Sequence, residues 1–117
     1  MLRFTTHEVS GALVLAFEAT EDATANWQST DRDLLYKLIE SHPDPRFAID
    51  LSQVSYLASS EIGFLMTLKR RIDRRQGRSV FFSIGPYLLD IFQTMNLHKI
   101  LVFADDLPAA LAKLAQA

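Results

Sequence analysis

The chain contains no cysteine. That absence removes disulfide staples, thiolate nucleophiles and cysteine-held zinc, and it is fully compatible with a reducing compartment. Long apolar runs are also missing: the longest, Ala12 to Phe17, is far short of the about 20 residues a membrane-crossing helix needs and reads as a buried strand. Arg3 is followed by Phe4-Thr5-Thr6-His7-Glu8, which supplies no apolar segment for a signal peptide. Charge of one sign is scarce, because acids and bases are dispersed and the formal net charge is -2, too weak a field to favour nucleic acid or anionic lipid. These absences predict a cytoplasmic protein without membrane insertion or nucleic acid, whose partner is a protein or a small molecule. The sequence has no phosphate-cradling Gly-rich loop, no Gly-x-Ser-x-Gly elbow and no paired-His zinc motif, and His7, His42 and His98 are isolated. No catalysis, metal or cofactor is expected.

What remains is ordinary globular material. With 117 residues, 49% of them apolar and 22% charged, one domain spanning residues 1–117 is the expectation. Phe4 to Val9 and Ala12 to Phe17 are β-rich and flank Ser10-Gly11, a dipeptide suited to a tight hairpin. Glu18 to Gln28 is polar and ambiguous. Leu34, Leu35, Leu38 and Ile39 then recur at helical spacing, with Ser29, Thr30 or Asp31 available as N-cap and His42-Pro43-Asp44-Pro45 as the turn that stops the helix. Arg46 to Leu51 predicts a buried strand, Ser59 to Gly77 a helix, and Ser79 to Ile84 another strand. Pro86 opens a short helix, Ile100 to Phe103 reads as a last strand, and Pro108 begins a final helix. Strands alternating with helices imply parallel pairing, and the initial hairpin adds an antiparallel edge.

The informative stretch runs Phe47-Ala48-Ile49-Asp50-Leu51-Ser52-Gln53-Val54-Ser55-Tyr56-Leu57-Ala58-Ser59-Ser60-Glu61-Ile62-Gly63-Phe64-Leu65. It resembles the signature of the STAS family, the anti-sigma-factor antagonists and their relatives, in which a buried strand ends in Asp-Leu, a short loop with an aromatic follows, and an Asp-Ser-Ser/Thr-Gly-Leu-Gly motif starts the next helix. The likeness continues in Met95-Asn96-Leu97, where the family usually has Thr-Gly-Leu, and covers about Phe47 to Leu114. Two positions depart from the pattern: Ala58 stands for the usual Asp and Glu61 for the usual Gly. The resemblance implies an α/β STAS-like domain with a mixed, mostly parallel sheet of four to five strands, an N-terminal β-hairpin and about four helices. It implies a regulatory protein-binding module that engages an anti-sigma factor or related serine kinase and is switched by phosphorylation of Ser60. The alternative, suggested by Ala58 and Glu61, is a STAS interaction subunit of a transporter or signalling scaffold that is not phosphorylated.

Physical chemistry supports such a switch at that position. A helix N-terminus carries unpaired amides and partial positive charge, so a serine there is surface-held and a phosphate on it is tolerated. Phosphorylation adds about -1.5 to -2 charges, enough to expel an acidic or apolar partner surface. The plainer reading makes Ser59 an N-cap and Glu61 an acid complementing the helix dipole. At about 100° per residue, Ser60, Phe64, Thr67, Arg71 and Arg74 share one arc, opposite Ile62, Leu65, Met66, Leu68 and Ile72. Ser59, Ser60, Glu61, Phe64, Thr67 and Arg71 are therefore the expected partner-binding residues, with Phe64 as exposed anchor or packed against the preceding loop. Lys69 falls near the apolar centre and is expected to snorkel. Lys69-Arg70-Arg71 with Arg74-Arg75 reads as a solvated helix face, since Asp73 is interspersed and no aromatics interleave. Asp50 is the expected cap of the loop after its strand. A receiver domain, with Asp50 and Glu21-Asp22 holding Mg²⁺, would need a lysine after the last strand, whereas Lys99 precedes it.

Overall fold

The computed structural model describes residues 2–19, 29–42 and 45–116. Glu21, Asp22 and the residues that would flank the start of the first helix lie outside them, as do Pro43 and Asp44. Strands β1 (Leu2–Val9) and β2 (Ala12–Ala19) form the expected hairpin, paired antiparallel from Val9↔Ala12 to Leu2↔Ala19. Its turn puts both central residues at positive φ, Ser10 at 52° and Gly11 at 81°. A two-residue turn of this kind matches the twist of the strands, and glycine removes the steric cost at one position.

Helix α1 (Ser29–Glu40) leads to β3 (Arg46–Gln53), α2 (Ser59–Arg74), β4 (Arg78–Phe82), α3 (Pro86–Thr94), β5 (Phe103–Ala104) and α4 (Leu107–Ala115). The five strands lie in the order β1-β2-β3-β4-β5, and every pair after the hairpin is parallel. From β2 to β4 the sheet is buried on both faces, alternate residues facing opposite sides, while Thr5 to Glu8 of the edge strand β1 are exposed. Leu15 and Phe17, Phe47 with Ile49 and Leu51, and Phe81 pack with residues of α1, α2 and α3. The alternate residues Ala12, Val14, Ala48, Val80 and Phe82 pack with Ala110 and Leu114 of α4. Burial of each large apolar side chain stabilises by about 1.5–3 kcal/mol, which explains why β3 reads as an almost unbroken apolar run.

Two expectations change. The last strand is Phe103–Ala104 rather than Ile100 to Phe103, because Asn96 turns left-handed (φ 59°) at the end of α3 and residues 97–99 form a 3-10 turn. The amides of Ile100 and Leu101 both bond to the carbonyl of Leu97, so they are committed to that turn and not to a ladder. Asn96 stands where the resemblance expects glycine, and asparagine is the residue that best replaces glycine in this conformation. Leu34, counted toward the apolar stripe of α1, is instead exposed.

The end of α2 contains a tight approach. Gln76 is left-handed (φ 58°), and the Gly77 amide bonds to the carbonyl of Ile72 at 2.9 Å. A Cβ on Gly77 would lie 2.3 Å from the carbonyl oxygen of Pro45, the same oxygen that accepts from the Arg78 amide at 2.8 Å. The glycine is needed here for space, and its neighbour carries the strained dihedral. Gly77→Ala should lower stability by about 1–3 kcal/mol, the cost of overpacking. Gln76→Gly should raise it by up to about 1 kcal/mol. Urea midpoints of the two variants measure both effects.

Candidate functional site

β3 delivers the chain to the site. Asp50, half-buried, lies inside β3 three residues before its end and not at the loop it was expected to cap; its Oδ1 accepts the Ser52 amide at 2.8 Å where the β2–β3 register shifts. Val54 and Leu57 of the following loop are buried, while Tyr56 between them is 58% exposed. The loop is thereby pinned on its apolar residues and offers an aromatic ring to solvent.

The N-cap of α2 is Ala58, not Ser59. Alanine has no acceptor, and the helix start is closed from the other side: Glu61 Oε1 accepts the Ala58 amide at 2.8 Å. This is half of a capping box, with the carboxylate reaching back and nothing reaching forward. Glu61 is therefore a structural clasp as well as a charge at the positive end of the helix. Ser59 and Ser60 occupy the first turn and are both exposed. Gly63 follows, exposed, with open space where a side chain would stand.

Phe64 corrects the wheel. Only 8% exposed, it belongs to the main core cluster. Its ring meets Phe17 edge-on at 6.2 Å between centroids and Tyr36 of α1 at 6.2 Å. A wheel assumes a single buried direction, but α2 has two buried neighbours, the sheet below and α1 beside it. The same neighbour engages Arg71, whose guanidinium lies 3.8 Å from the centre of the Tyr36 ring and 3.2 Å from Glu40 Oε1. Thr67 is half-buried and returns its hydroxyl to the Gly63 carbonyl at 3.1 Å. Lys69 is half-buried and reaches Asp73 one turn on.

Of the six residues expected at the partner surface, Ser59 and Ser60 are open, Glu61 clasps the helix start, and Phe64, Thr67 and Arg71 serve α2 and its seam with α1. Sequence reasoning missed two candidates. Tyr56 precedes the helix, and Tyr87, 62% exposed, stands at the start of α3. Because β3 and β4 run parallel and adjacent, α2 and α3 both begin at the same end of the sheet. A signal existed: each tyrosine immediately precedes or enters a helix start, where nothing C-terminal can yet cover it.

Among the described residues no group of three or more His, Asp or Glu side chains could hold a metal ion, and no helix is long and apolar enough to cross a membrane. A five-stranded mixed sheet opened by a hairpin, with a helix starting at Ser-Ser directly after its central strand, is the arrangement of STAS domains. Residues 4–110 match the STAS domain family, and the chain belongs to it. Solved structures of similar fold include an anti-sigma-factor antagonist (STAS) domain protein from Planctomyces limnophilus, 18% identical over 97% of this chain and 98% of that one, with a TM-score of 0.77. RsbS from Moorella thermoacetica is 21% identical over 96% and 94%, TM-score 0.79. The Bacillus cell fate determinant SpoIIAA in its phosphorylated form is 14% identical over 95% and 98%, TM-score 0.58. No curated protein sequence matches the chain.

The clasp and the packed ring give separable expectations. Glu61→Gln keeps an acceptor for the Ala58 amide and should cost little, whereas Glu61→Ala should cost about 1 kcal/mol. Phe64→Ala should cost about 3–5 kcal/mol through the cavity it leaves. Chemical denaturation of the three variants checks the order.

Proposed function

We propose that this protein is a regulatory binding module of the anti-sigma-factor-antagonist type, in which an anti-sigma factor or related serine kinase docks over the start of α2 and is released when Ser60 is phosphorylated. One observation carries the reading: Ser60 is exposed on the first turn of a helix whose start is held closed by Glu61 on the Ala58 amide. The kinase would transfer the terminal phosphoryl group of ATP to the serine Oγ, with loss of the hydroxyl proton. The product oxygens would sit at the positive pole of α2, next to the amides that a first turn leaves unpaired. Tyr56 and Tyr87 supply the aromatic contact area that Phe64, being buried, does not. That a protein of this fold, SpoIIAA, is an anti-sigma-factor antagonist with solved unphosphorylated and phosphorylated forms supports the assignment.

A second reading has its own observation. The Glu61 carboxylate already stands one residue from Ser60, and it would repel a phosphate placed there. It favours a STAS interaction subunit of a transporter or signalling scaffold that docks through the same end of the sheet and is not phosphorylated.

Intact mass after incubation with the cognate kinase and ATP separates the two. The switch requires one added phosphate that Ser59→Ala retains and Ser60→Ala abolishes, and Ser60→Glu should weaken partner capture at least about tenfold, as like charge at an interface costs several kcal/mol. No added phosphate, with capture still weakened by Tyr56→Ala, selects the second reading.

A further inference from the structure

At the far end of the sheet from Ser60 the chain leaves a strand position half empty. Strand β5 pairs with β4 only at Phe81↔Phe103 and Phe82↔Ala104. Arg78, Ser79 and Val80 thus have no strand on their outer side, although β3 pairs them on the inner one. In a parallel ladder the amide and carbonyl of one residue point to the same neighbour, and the direction alternates along the strand. The Phe81 amide bonds outward to the Val102 carbonyl at 2.9 Å, and the Arg78 amide bonds inward to Pro45. Ser79, in phase with Phe81, directs its amide and carbonyl outward, into the vacant position.

That position is a cleft of about 500 Å³, bounded by the C-terminal turns of α2 on one face and of α4 on the other. The volume is in the range of functional ligand sites. Its two sides differ. Toward α2 stand Gly77 and the Lys69–Asp73 pair, already neutralised. Toward α4 the floor is apolar, made by Val80, Leu114 and Val102, the last 46% exposed. Arg78 and Lys113 rim that floor, with no carboxylate paired to either among the described residues. Lys113 spends one of its ammonium hydrogens on the Phe103 carbonyl and keeps two for a ligand.

We propose that this slot docks an extended acidic peptide segment of a partner protein by strand addition, its backbone pairing with Ser79 and a glutamate side chain lying over Val80 and Leu114 with its carboxylate between Arg78 and Lys113. The open backbone edge selects an extended chain. The apolar floor with a cationic rim selects glutamate, whose methylene stem and terminal carboxylate match the two in order. Alternate side chains of the added strand would face α2, where a small polar residue fits beside the neutralised pair. The inference does not rest on the proposed switch, since the two surfaces lie at opposite ends of the strands.

The test is a titration of the ¹⁵N-labelled full chain with an acetylated, amidated peptide of alternating serine and glutamate, followed by amide NMR and hydrogen exchange. Saturable binding should move the Ser79 amide, slow its exchange about tenfold or more as it gains a partner, and weaken as salt is raised. The combined charge reversal Arg78→Glu and Lys113→Glu should abolish binding, and the milder Arg78→Gln and Lys113→Gln, taken singly, should each weaken it while leaving the amide spectrum folded. A serine–lysine peptide should not bind. The proposal is overturned if the peptide does not saturate, if the variants bind as well as the parent, or if shifts gather at the start of α2 instead. It is equally overturned if glutarate alone protects the Ser79 amide, which would make the cleft an anion site with no part for the open edge.

Discussion

The contact on which the candidate site depends is the burial of Phe64 between β2 and α1. A helix resting on a sheet can roll about its axis at little cost while its apolar stripe remains covered. A ring held edge-on to Phe17 and tilted against Tyr36 removes that freedom, because rotation in either direction opens a void or a clash in a core packed like a crystal. Arg71, two turns further on the same side, reinforces the seam through Tyr36 and Glu40. Once the roll of α2 is set, so is the outlook of its first turn. Ser60 lies one turn before Phe64 on the same stripe, and it is exposed where Phe64 is buried. Cover on that stripe ends between those two residues, while Ile62 holds the other side of the same turn in the core, so the turn is anchored with Ser60 facing out.

This explains what the sequence could and could not reveal. The strands were legible because β2, β3 and β4 are short, nearly unbroken apolar runs, as strands covered on both faces require, and the hairpin because Ser10-Gly11 permits two positive φ angles. The start of α2 was legible to within one residue. Its cap was not, because an Ala at that position carries no side-chain signal and the closure comes from Glu61 reaching backward. Phe64 was misplaced for a physical reason: periodicity records how many residues are buried and in which direction on average, whereas the position of α1 relative to α2 is a tertiary fact. The same blindness hid Tyr56 and Tyr87, since aromatic residues count toward a core until geometry shows that nothing lies above them. The local hydrogen bond from the Ser52 amide to Asp50 forms inside β3, which continues to Gln53, because pairing with β2 extends the strand past the point where its apolar run stops.

The short β5 follows from a choice at Asn96. By turning left-handed there, the chain spends the next amides on a compact turn and arrives at the sheet late, opposite Phe81 rather than Ser79. A strand beginning at Ile100 would have filled the edge of β4 and sealed the cleft between the ends of α2 and α4. Exposed strand edges are liabilities that proteins usually blunt with charge, and Arg78 beside Lys113 serves that purpose against another copy bearing the same charges. The same two cations leave the edge open to a chain of opposite sign, so protection from self-association and selectivity for an acidic segment have one physical source.

Charge at the start of α2 has a comparable double effect. Glu61 satisfies a backbone amide and offsets part of the positive pole of the helix, which stabilises the unmodified protein. In the proposed switch that offset matters twice. A less positive pole holds the phosphate beside the first-turn amides less tightly, which lowers the stability of the modified protein. A partner surface is then met by the phosphate and the carboxylate together, two like charges on adjacent residues, and the repulsion it feels exceeds what either would supply alone. Glu61 would thus trade some stability of the phosphorylated protein for a stronger contrast between its bound and released states.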